Sequence, residues 1–84
     1  MTTEDLASVQ EKIVEKRFDE ALDDLARLRE AEPDNPDALY MSAVCHRYKG
    51  DHETALAFLE RLKQDNPEHG RAHQEEGHNY RDLG

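Results

Sequence analysis

Five histidines and a single cysteine are the side chains here best able to ligate a metal or act as nucleophiles, and His69 and His73 stand four residues apart. On a helix that spacing puts two imidazoles on one face, but zinc would still need at least one further ligand. His73 and His78 are five apart, about 140° around a helix, so the stretch between them is not a zinc-protease motif. Histidines that are solvated or partly packed account for these positions better. Cys45 has only His46 and Arg47 as basic neighbours in sequence and no partner cysteine, so it reads as a small packing residue rather than a nucleophile. There is no Gly-rich phosphate loop and no Ser-His-Asp set. The expectation is no catalytic residue, no metal, no cofactor and no enzyme.

Recognition chemistry is the better use of these residues, and it depends on the helices that carry them. Ala21, Leu22, Leu25, Arg27, Leu28 and Pro33 return 34 residues later as Ala55, Leu56, Leu59, Arg61, Leu62 and Pro67. Ala38, Arg47 and Gly50 return likewise as Ala72, Arg81 and Gly84. A period of this length belongs to stacked two-helix units.

Thr2 with Asp5 three residues on resembles a capping box, and Leu6, Val9, Ile13 and Val14 follow at helical spacing. Arg17 marks a short turn. Phe18, Ala21, Leu22, Leu25 and Leu28 then make the clearest apolar stripe in the chain, opposite Asp19, Glu20, Asp23 and Asp24. Pro33 stops that helix, Asn35 caps the next and Pro36 suits its first turn. Gly50 closes the third helix and Asp51 caps the fourth. Asp65-Asn66-Pro67 repeats the stop signal, and the fifth helix has a thin stripe of Ala72, Gly77, Tyr80 and Leu83. No segment alternates as a strand would. The predicted architecture is all-α, five helices at about 3–15, 18–31, 36–49, 52–65 and 67–83, paired antiparallel in a right-handed α-solenoid.

Eighty-four residues allow one small core, which buries roughly 60% of the surface of the unfolded chain. A stack of helix pairs suits that limit, since each pair needs only its neighbours. Net charge is −9, from 20 acidic and 11 basic residues, which disfavours nucleic acid and anionic membrane surfaces as partners. One cysteine allows no internal disulfide, and the N-terminus lacks the basic and apolar segments of a signal peptide. A reducing, cytoplasmic setting is therefore expected.

The periodic residues resemble the tetratricopeptide repeat. From Pro36, the second unit carries Leu39, Ala43, Gly50, Ala55, Leu59, Leu62 and Pro67 where that family places bulky, small and breaking residues. The first unit matches in its second helix through Phe18, Ala21, Leu25, Leu28 and Pro33, but Val9 stands where a small residue is usual. The resemblance implies one domain over 1–84: repeat one at 2–35, repeat two at 36–69, and the first helix of a third at 70–84. It also implies a concave groove that binds a protein or peptide partner through Tyr40, Val44, Arg47, Tyr48, Arg71, Gln74, His78 and Arg81, with Asp37, Met41, Glu75 and Asp82 at further lining positions. The family's clamp for acidic chaperone tails would fall on Leu6, Gln10, Met41, Arg71 and Glu75, of which only Arg71 is compatible. No such clamp is expected.

Ala38–Tyr48 with Arg71–His78 also resembles the N-terminal repeats of bacterial proteins that join such repeats to a sulfotransferase domain. That likeness implies a regulatory or scaffolding segment cut from a larger enzyme, with Gly84 a cut point. A third reading is a homodimer made through the fifth helix.

Overall fold

The computed structural model describes residues 3–84, with side chains from Leu6 onward. Five helices follow one another: α1 (Thr3–Val14), α2 (Phe18–Ala31), α3 (Pro36–Tyr48), α4 (His52–Asp65) and α5 (Gly70–Leu83). Among the described residues there is no strand. The capping box at Thr2 and Asp5 lies outside what is described.

The helix ends show why the chain breaks where it does. Asn35 Oδ1 accepts from the Ala38 amide at 3.1 Å, and Pro36 occupies the first turn of α3. At the end of α3, Gly50 adopts φ +83°, which lets the Asp51 amide reach back to the His46 carbonyl at 2.8 Å. One period earlier the same bond joins the Arg17 amide to the Lys12 carbonyl at 2.8 Å. Its left-handed residue is Lys16, at φ +63°, rather than Arg17. Arg17 instead turns its guanidinium to Glu15 and Glu20.

The fifth helix starts at Gly70, three residues later than the breaker cluster suggests. Pro67 occupies a turn, as Pro33 does, and His69 takes the place of Asn35. Its Nδ1 accepts from the Ala72 amide at 3.1 Å and so caps the helix.

Two apolar clusters share α3. Ala38 and Cys45 join Val9, Ala21 and Leu25, while Leu39 and Ala43 join Ala55, Leu59, Leu62 and Ala72. Because α3 buries two sides, it is the helix that registers the others. Val9, large where a small residue is usual, is still buried, with Ile13 and Phe18 packed around its cluster.

The last helix docks differently. Of its expected stripe only Ala72 is buried, and Gly77, Tyr80 and Leu83 are exposed. Glu75 and Asn79 fill the interface instead, where the Asn79 amide donates to the Glu75 carbonyl at 2.8 Å and its oxygen meets His52 Nδ1 at 3.1 Å. Asn79 and His52 replace Cys45 and Phe18 one period earlier, so hydrogen bonding stands in for apolar contact.

Candidate functional site

Helices α1, α3 and α5 open a hollow of about 130 Å³. Ile13, Tyr40, Met41 and Val44 form its apolar floor, and Gln10, Asp37 and Arg71 its polar walls. Their placement follows from the helical period: Asp37, Tyr40, Met41 and Val44 lie on one face of α3, and Gln10 and Ile13 are one turn apart on α1.

The polar groups in this hollow have unequal freedom. Arg71 holds its guanidinium 5.9 Å from the centre of the Tyr40 ring, and it has no carboxylate within 4 Å among the described residues. The same ring lies 6.2 Å from that of His69, at 28°. Burial raises the pKa of Tyr40, with Glu75 adding to the shift, so its hydroxyl stays a neutral donor near pH 7. An exposed, unpaired guanidinium beside a half-buried phenol is a pair that can take a carboxylate or a backbone carbonyl from a ligand.

The other expected groove residues separate into three groups. Arg47 is held by Glu75, has Asp82 at 3.8 Å, and packs 4.5 Å over the Tyr48 ring. That pairing leaves it little freedom for a ligand. Tyr48 stacks on Phe18 at 5.3 Å and 11°, and lines a second opening of about 470 Å³ with Ile13, Val14 and Lys16. On α5, Arg81 donates to His78 Nδ1, and Gln74 is exposed. Of the eight expected residues, the hollow therefore gathers Tyr40, Val44 and Arg71.

Ile13 and Gln10 are additions. They stand one period before Arg47 and Val44, so applying the groove positions to the first helix would have found them. The acidic-tail clamp does not assemble: Gln10, Met41 and Arg71 share the hollow, but Glu75 is committed to Arg47.

Metal ligation gains no support from the histidine pair. His69 caps α5, and His73 Nε2 lies 2.8 Å from the Pro67 carbonyl. Among the described residues no group of three or more His, Cys, Asp or Glu could hold a metal ion. None of the described helices is long and apolar enough to cross a membrane. Cys45 is buried, and desolvation pushes its thiol up to about 11, far from thiolate chemistry at neutral pH.

Helix pairs stacked through a shared central helix, with a hollow between first helices, define a helical-repeat protein. The family model for the tetratricopeptide repeat matches residues 13–75, well over half of the chain, and the protein belongs to that family. Such repeats are generally protein–protein interaction modules. Comparison with curated proteins and with solved structures gave no match.

Proposed function

We propose that this protein binds a short segment of a partner protein in the hollow between α1, α3 and α5. The repeats at 2–35 and 36–69, with the first helix of a third at 70–84, serve as the rigid frame. The observation that carries this reading is the unpaired Arg71 beside Tyr40, in a hollow that Asp37 and the apolar Ile13, Met41 and Val44 also line. A cation and an anion in one hollow orient a peptide, and Ile13, Met41 and Val44 take one apolar side chain.

A peptide library displayed on phage and selected on this chain tests it. Arg71→Ala and Tyr40→Ala should each weaken the selected peptides about tenfold, as loss of a charged or aromatic anchor does. Unchanged affinity in both variants would refute the assignment.

A further inference from the structure

Outside the hollow, the repeat provides an internal comparison for one unpaired charge. Between α4 and α5, Lys63 pairs with Glu76. One period earlier, between α2 and α3, the same positions hold Arg29 and Ser42, and Arg29 Nη1 donates to the hydroxyl at 3.2 Å. The carboxylate is missing there. A second acid is missing beside it. In the first unit Lys12 and Arg27 both pair with Asp24, while their successors His46 and Arg61 border Phe58. These two each reach an acid elsewhere, Asp51 at 3.5 Å and Asp34 at 2.9 Å, leaving Arg29 alone in the patch without one among the described residues. The His46 ring stacks 5.5 Å from Phe58 at 20°, and the Arg29 guanidinium lies 4.6 Å over the same phenyl ring.

Two acids that neutralise cations elsewhere in this chain are thus replaced, within one patch, by a hydroxyl and a phenyl ring. Arg29 has no carboxylate within 4 Å among the described residues. Burial and then the charge of Arg61 disfavour its protonated form, yet a guanidinium keeps its proton at neutral pH. Arg61 holds Asp34 at 2.9 Å, but both side chains are exposed and that contact is exchangeable. An anion brought to Arg29 relieves the repulsion between two arginines and supplies the partner that Glu76 gives Lys63.

We propose that Arg29, Arg61 and His46, grouped around Phe58, bind a carboxylate from an acidic segment of a partner protein. Charge complementarity selects this occupant, because the repeat itself places carboxylates at the equivalent positions. The chain's net charge of −9 opposes the approach of an acidic segment at long range. The attraction must therefore come from the cations grouped around Phe58, within the roughly 8 Å over which exposed charges act at physiological salt. A hollow of about 250 Å³ lined by Thr54, Ala57, Phe58 and Arg61 gives the segment room to lie on α4. None of these residues lines the groove between α1, α3 and α5, so this site stands apart from the function proposed above.

The test is a titration with a tetraglutamate peptide, acetylated and amidated, followed by NMR of the arginine Nε–H and histidine ring signals. A tetraglutamine peptide of the same form is the control. Saturable shifts at Arg29 and His46 are expected with tetraglutamate alone. Arg29→Gln should weaken binding about tenfold or more, the usual scale for losing a charge-assisted hydrogen bond. Arg61→Gln, at an exposed position that leaves the fold intact, should weaken it several-fold. An equal response to tetraglutamine, an absence of saturation, or unchanged affinity in both Arg29→Gln and Arg61→Gln would overturn the proposal. So would a loss in Arg71→Gln as large as that in Arg29→Gln, because it would place the peptide in the groove.

Discussion

Arg47 of α3 and Glu75 of α5 form an ion pair largely closed to water, their side chains 17% and 6% exposed. It ties the last helix to the central one, where Ala72 is the one apolar residue of α5 that is buried among the described residues. Breaking a buried pair leaves one charge uncompensated. Glu75→Ala should therefore lower the unfolding free energy by about 2 kcal/mol, below the usual loss for a fully buried pair because Arg47 keeps Asp82 nearby. Urea denaturation measures it, and a loss too small to resolve would mean the pair does not hold α5.

The turn after α1 carries a lysine where the repeat prefers glycine. Lys16, Gly50 and Gly84 are equivalent positions, and all have positive φ, at 63°, 83° and 102°. A side chain there costs roughly 1 kcal/mol. Lys16→Gly should stabilise the chain by about that amount, and Gly50→Ala should destabilise it by a similar amount. Thermal unfolding of the two variants decides it: the midpoints should move in opposite directions.

Those turns show how far the sequence could be read. The period placed all five helices within three residues, because proline, asparagine and glycine act on the backbone locally. The late start of α5 was also legible, since Pro67 had to behave like Pro33. What a sequence does not display is which polar side chains meet. Arg47 and Glu75 are 28 residues apart and His52 and Asn79 are 27 apart, so both contacts appear only once the helices stack. For that reason Arg47 resembled a groove residue, although Glu75 holds it.

Mild acid should weaken the fold through His46. Burial lowers the pKa of His46 below its ordinary 6.5, and Asp51 only partly opposes the shift. The unfolded chain therefore binds a proton more readily than the folded one just below pH 6.5. Stability is full above that value and falls as pH drops through it towards the folded pKa. Unfolding free energy measured from pH 7.5 to 5 should decline with acid, and His46→Gln should flatten the slope. An identical slope in the variant would assign the effect to another group.

Cys45 should be silent to thiol reagents in the folded state. It is fully buried, and its thiol is pushed up to about 11. Labelling with Ellman's reagent at pH 8 should proceed only through unfolding, so its rate should rise with urea in step with the unfolded fraction. Fast labelling without denaturant would contradict the packing described for α2 and α3.

The central claim is that the hollow between α1, α3 and α5 is where a partner binds. It is tested most directly by mapping backbone amide shifts on the labelled protein while adding a peptide selected by display. The largest shifts should fall on Gln10, Asp37, Val44 and Arg71. Shifts concentrated on α2 and α4, with those four residues unmoved, would contradict it.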